Sequence, residues 1–129
     1  MNASVLILVV EDNELIQQVV NEALVDGGYA VHAVCTAEEA IAILDTAGFD
    51  LQALLTDIDL APGKLTGWDV ARHAREIIPA LPVVYMSGAS GNDWASKGVP
   101  KSVFIGKPFA PAQVLTAVSQ LMNERSAGN

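Results

Sequence analysis

Ser4-Val5-Leu6-Ile7-Leu8-Val9-Val10 runs without a break into Glu11-Asp12. The same design recurs further along the chain. Leu51-Gln52-Ala53-Leu54-Leu55-Thr56 ends at Asp57, Leu81-Pro82-Val83-Val84-Tyr85-Met86 ends at Ser87-Gly88, and Ser102-Val103-Phe104-Ile105-Gly106 ends at Lys107-Pro108-Phe109. Short, nearly unbroken apolar runs are expected of strands covered on both faces, as parallel strands are. If these runs are parallel strands of one sheet, their endings meet along a single edge. Three acids, a hydroxyl and a lysine then share one small cleft.

The segments between the runs support a parallel sheet. Leu15, Ile16, Val19, Val20, Ala23 and Leu24 recur at helical spacing, and Gly27-Gly28 supplies a stop. A weaker strand follows over Ala30 to Val34. Thr36-Ala37-Glu38-Glu39 reads as a capping box opening a second helix, which fades near Gly48. Trp68 to Ile78 carries Val70, Ala71, Ala74, Ile77 and Ile78 on one face and stops at Pro79. The stretch from Gly88 to Pro100 has room only for a short or irregular fourth helix around Asp93 to Lys97. The last helix opens near Pro111, with a poor cap in Ala110, and uses Val114, Leu115, Val118, Leu121 and Met122. Five strands alternating with five helices imply an α/β fold: a parallel sheet, doubly wound, with its ligand site outside the carboxyl ends of the strands.

Bulk properties set the bounds. The 129 residues match one domain with a single well-buried core, with ordered structure over about 4–123 and a disordered tail over 124–129. A net charge of -8, with seven scattered Lys and Arg residues, argues against nucleic acid as a partner. Val5 to Val10 is too short for a signal core and lacks a basic flank, and no apolar stretch is long enough for a membrane span. The single cysteine, Cys35, excludes an internal disulfide. These features fit a soluble, cytoplasmic protein.

The chemistry follows from the residue types. Clustered carboxylates raise one another's pKa, and a hard divalent cation relieves them. Magnesium takes oxygen ligands, typically one or two carboxylates plus waters and a phosphate oxygen. Glu11, Asp12 and Asp57 suit such a site, with a backbone carbonyl from the Asp57–Asp59 turn as a further oxygen. An aspartate can also serve as a nucleophile and form an aspartyl phosphate. Lys107 would then compensate phosphoryl charge, and the Ser87 hydroxyl would donate a hydrogen bond to a phosphoryl oxygen.

On these residues the chain resembles the response-regulator receiver domains of two-component signalling, over roughly residues 4–123. The matching features are Glu11-Asp12, Asp57, Ser87 followed by small residues, and Lys107-Pro108-Phe109, with Phe104 three residues before the lysine. The resemblance implies the flavodoxin-like strand order 2-1-3-4-5. It implies Asp57 as phosphoacceptor, with magnesium at Glu11, Asp12, Asp57 and the backbone carbonyl of Asp59. Ser87 and Phe104 become the switch pair. A sensor histidine kinase or histidine phosphotransferase becomes the donor, with a downstream protein or a second copy as output. The chemistry implied is self-phosphorylation and self-dephosphorylation, not turnover of a free substrate. Glu11 stands where aspartate is commoner, Ser87 where threonine is frequent, and Phe104 where tyrosine is frequent.

Each residue alone has a plainer reading. Asp57 is a turn former or helix cap, Glu11-Asp12 favours the positive end of the first helix, and Lys107 is a solvated loop lysine. Their joint occurrence at four strand ends carries the functional reading. His32 and His73 have no ligand cluster, Cys35 reads as a small buried filler, and Trp68 and Trp94 as packing or partner-surface residues. Two alternatives differ in class. Asp57-Ile58-Asp59 is similar to the paired aspartates of haloacid-dehalogenase-type phosphatases, although those enzymes carry the pair on the first strand. The other is a receiver-like module that acts through binding without phosphorylation.

Overall fold

The computed structural model describes residues 6–47, 50–60, 63–89 and 91–127. Its elements, in chain order, are β1 (Leu6–Val10), α1 (Glu14–Asp26), β2 (Ala30–Val34), α2 (Ala37–Ala47), β3 (Leu51–Asp57), α3 (Gly67–Ile77), β4 (Val83–Ser87), α4 (Trp94–Lys97), β5 (Val103–Gly106) and α5 (Pro111–Ala127). A 3-10 turn over Gly91–Asp93 leads into α4. The five strands are parallel, in the order β2-β1-β3-β4-β5. This is the expected doubly wound arrangement.

Period-two alternation divides the interior between the two faces of the sheet. Leu8, Val10, Leu54 and Tyr85 pack against Ala40 and Leu44 of α2 and Trp68, Ala71 and Ala74 of α3. Ile7, Val9, Leu55, Val84 and Met86 pack against Val20 and Leu24 of α1 and Val114 and Val118 of α5. The central strands are therefore buried on both sides, which is why β3 and β4 read as continuous apolar runs.

Caps fix the helix starts near the sheet's carboxyl edge. The Asn13 side chain accepts the Ile16 N–H at 3.0 Å, opening α1 directly after the acidic pair. Thr66 and Asp69 form a reciprocal capping box at α3: Asp69 Oδ2 accepts the Thr66 N–H at 2.8 Å, and the Thr66 hydroxyl accepts the Asp69 N–H at 3.4 Å. The backbone hydrogen bond from Thr66, helped by Arg72, holds the Asp69 carboxyl below its ordinary range. At α2, Thr36 accepts the Glu39 N–H at 3.1 Å, and Glu39 reaches back to the Cys35 N–H. Pro111 opens α5 as expected. The weak cap at Ala110 is compensated by Gln113, whose Oε1 accepts the Ala110 N–H at 2.6 Å.

Four expectations need correction. Leu15 and Val19 share the helical period of α1 but are 75% and 42% exposed, because Val20 and Leu24, with the partly buried Ile16, make its contact with the sheet. Cys35 is exposed, not a buried filler, because it lies beyond the last residue of β2. The strand ending in Ser87 begins at Val83, the first residue paired with β3, although the Pro82 carbonyl accepts the Leu54 N–H and Leu81 is fully buried. Residues 124–127, expected in a disordered tail, continue α5, and Arg125 Nη1 reaches the Gln52 carbonyl at 3.4 Å. The expectations placed on Ser4, Val5, Gly48 and residues 128–129 lie outside the described residues. No described helix is long and apolar enough to cross a membrane.

The fourth helix is a single turn, Trp94–Lys97, as the sequence suggested. Side chains hold the segment around it. The Tyr85 hydroxyl accepts the Val99 N–H at 3.0 Å, and Trp94 Nε1 donates to Ser102 Oγ at 2.9 Å. Arg75 donates from Nε to the Leu81 carbonyl and from Nη1 to the Pro100 carbonyl, each at 2.7 Å. Burial depresses the Arg75 pKa and raises that of Tyr85.

Candidate functional site

The carboxyl edge of the sheet gathers the residues singled out in the sequence. Glu11 follows β1 and is fully buried, while Asp57 closes β3 at 4% exposure. Lys107 follows β5, and its Nζ lies 2.8 Å from Glu11 Oε1 and 3.3 Å from Asp57 Oδ2. Glu11, Asp12 and Asp57 each offer a carboxylate oxygen within 4.8 Å of the others. Glu11 Oε2 accepts the Asn13 N–H at 3.1 Å, and Gln17 Nε2 donates to the Glu11 and Val34 carbonyls. The Thr56 hydroxyl, also buried, donates to the Asp57 carbonyl at 2.8 Å.

Charge and burial compete at Asp57. Desolvation, reinforced by the charge of Glu11, pushes its pKa from 3.8 up to about 7, although Lys107 pulls the other way. Burial alone would lower the Lys107 pKa. Its bonds to Glu11 and Asp57 outweigh that effect and raise it. One lysine thus faces two buried acids with a third beside them. Hard oxygen donors this close, left with excess negative charge, fit a divalent cation such as magnesium.

Ser87 lies at the end of β4, in register with Gly106, and is 1% exposed. Its hydroxyl donates to Asp59 Oδ2 at 3.3 Å and accepts the Ala89 N–H at 3.1 Å. In the receiver reading the sequence drew attention only to the Asp59 backbone carbonyl; its side chain entered only through the phosphatase alternative. Its carboxylate enters the site as well, and no spacing rule signals that. Phe104 stands apart from the acids. It pairs in register with Tyr85, and its ring centroid is 6.3 Å from that of Trp94. A Cβ added at Gly91 would come within 3.1 Å of the Phe104 ring. Of the tryptophans, Trp68 is buried against Tyr85 with ring centroids 4.7 Å apart, and Trp94 is partly exposed. His73 bonds Asp45 of α2 at 2.6 Å and belongs to no ligand cluster among the described residues.

The family model for response regulator receiver domains matches residues 7–119. The chain belongs to this family. Among solved structures, a response regulator receiver protein from Sinorhizobium medicae WSM419 is 42% identical, with a TM-score of 0.90 over 95% of this receiver and 97% of that chain. The chemotaxis response regulator CheY4 of Vibrio cholerae shares the fold at 22% identity, with a TM-score of 0.79 over 92% and 99% of the two chains. The sensor kinase CckA of Brucella abortus is 25% identical over 97% of this receiver, and the response regulator FleR of Pseudomonas aeruginosa is 28% identical over 88%. The receiver spans 13% of the length of CckA and 24% of FleR. As a receiver it is a signalling module of two-component systems, a class of phosphoacceptors distinct from ordinary enzymes.

Proposed function

We propose that this receiver accepts a phosphoryl group on Asp57 from a phosphohistidine donor, a sensor histidine kinase or histidine phosphotransferase. The observation that carries this reading is the convergence of Asp57, Glu11, Asp12 and Lys107 on one sheet edge, with Asp57 buried at the centre of their charges. An Asp57 oxygen forms the new O–P bond as the P–N bond of the donor breaks, and the electron pair leaves with the imidazole. Lys107 orients the carboxylate through Oδ2 and compensates charge on the transferring group. Glu11, Asp12 and Asp57, with the Asp59 backbone carbonyl, would hold magnesium, which supplies further positive charge against the phosphoryl oxygens. Ser87 then donates its hydroxyl proton to a phosphoryl oxygen, and Phe104 moves into the space that Ser87 vacates.

The proposed unit is residues 1–129 acting in the cytoplasm, with output through a protein partner or a second copy. Incubation with magnesium and acetyl phosphate should add one phosphoryl group to the intact protein, read by mass, and Asp57→Asn should lose it entirely. No gain with acetyl phosphate or a cognate kinase overturns the reading. Turnover of phosphate esters that depends on Asp59 favours the phosphatase alternative instead.

The donor has a place to sit. An apolar groove of about 410 Å³ between α1 and the β5–α5 connection is lined by Leu15, Ile16, Val19, Lys107, Pro108 and Phe109. It adjoins Lys107, so a partner seated there brings its histidine to Asp57. This gives the exposure of Leu15 and Val19 a role. Leu15→Glu should slow transfer from a protein donor on the order of tenfold, as loss of an apolar anchor does, and slow transfer from acetyl phosphate far less. Equal slowing with both donors counts against the groove.

A further inference from the structure

We infer that the Asp59 carboxylate holds the Ser87 hydroxyl in the resting protein and thereby opposes capture of a phosphoryl group at Asp57. Asp59 is then a positioning residue that acts through Ser87. The inference rests on the phosphoacceptor reading of Asp57.

A serine hydroxyl has one proton to give. Here it points to Asp59 Oδ2 at 3.3 Å, while the Ala89 N–H occupies an acceptor position on the same oxygen at 3.1 Å. Ser87 is buried at the end of β4, so its hydroxyl has little water to turn to. Asp59 lies on the exposed loop after β3, two residues beyond the acceptor. To donate to a phosphoryl oxygen on Asp57, Ser87 must first give up Asp59. The O···O distance is longer than the common 2.7–2.8 Å of such bonds, so the exchange is easy to make. The contact also ties the β3–α3 loop to β4. Phosphorylation therefore trades a loop-to-strand bond for a strand-to-phosphoryl bond.

Beryllofluoride with magnesium imitates the phosphoryl group and allows an equilibrium measurement on the whole chain. Titration by fluorine NMR should show Asp59→Ala binding beryllofluoride roughly three- to tenfold more tightly than wild type, the span of one net hydrogen bond. In a Ser87→Ala background the same change at Asp59 should have no effect. Asp59→Asn, which keeps an acceptor oxygen but loses the charge, should fall between wild type and Asp59→Ala. That variant decides the matter if Ser87→Ala fails to fold. Equal tightening in both backgrounds, or Asp59→Asn matching Asp59→Ala, reveals simple charge repulsion and overturns the inference alone. Weaker binding by Asp59→Ala overturns it too. Failure of the wild type to bind beryllofluoride at all overturns the phosphoacceptor reading as well.

Discussion

Asp57→Asn should unfold at a higher temperature than the wild type in metal-free buffer at pH 8. The acceptor's pKa of about 7 in the folded protein lies above its ordinary 3.8, chiefly because of burial and then Glu11. A carboxyl raised in this way binds its proton more tightly in the folded state. Its contribution to stability is fully present below about pH 4 and is lost as pH rises through about 7. A displacement of about three pKa units corresponds to roughly 4 kcal/mol. The amide of Asn stays neutral at every pH. The gap between variant and wild type should therefore open as pH rises from 4 to 8, and magnesium should narrow it by stabilising the wild type. Thermal unfolding followed by circular dichroism over that range, with and without magnesium, checks both expectations. A gap that does not change with pH, or a wild type more stable than the variant at pH 8 without metal, contradicts the assigned electrostatics.

Gly67→Ala should damage the protein more than any other glycine substitution near the site. Gly67 opens α3, and its N–H donates to the Ile58 carbonyl at 2.8 Å. A Cβ there would run into the Asp57 carbonyl oxygen and lie 2.8 Å from the Ile58 Cα. The obstacle is the backbone of the acceptor strand, which cannot rotate away as a flexible side chain can. Relief requires α3 to withdraw or Asp57 to shift, and overpacking of this kind costs about 3 kcal/mol. Gly88→Ala is the natural comparison, because its Cβ would meet nothing nearer than Lys107 Cβ at 3.9 Å. Urea unfolding should show a large loss for Gly67→Ala and little for Gly88→Ala. The folded fraction of Gly67→Ala should also take up phosphoryl from acetyl phosphate slowly. Near-wild-type stability for Gly67→Ala would show that the start of α3 yields freely.

How much of this was legible beforehand depends on the range of the interactions. β3 and β4 are covered on both faces, so they read directly as apolar runs, and parallel strands bring the ends of such runs together. That reasoning reaches Glu11, Asp12, Asp57, Ser87 and Lys107 without coordinates. Periodicity alone failed at Leu15 and Val19, because an apolar stripe does not say how wide a contact the sheet offers. The close approach of Gly67 to the Asp57 backbone joins segments ten residues apart through loop geometry, which no residue pattern encodes. The turn of Asp59 toward Ser87 is hidden for the same reason, as is the Tyr85 hydroxyl bonded to Val99.

The single-turn α4 has a consequence for how the edge beyond β4 responds. A long helix there would come away as a unit, because its backbone bonds form and break together. Here the cover between β4 and β5 is fastened by separate side chains: Tyr85 to Val99, Trp94 to Ser102 and Arg75 to Pro100. Separate fastenings release one at a time. The edge is therefore built to yield by degrees, residue by residue, where a full helix would impose a single all-or-none step.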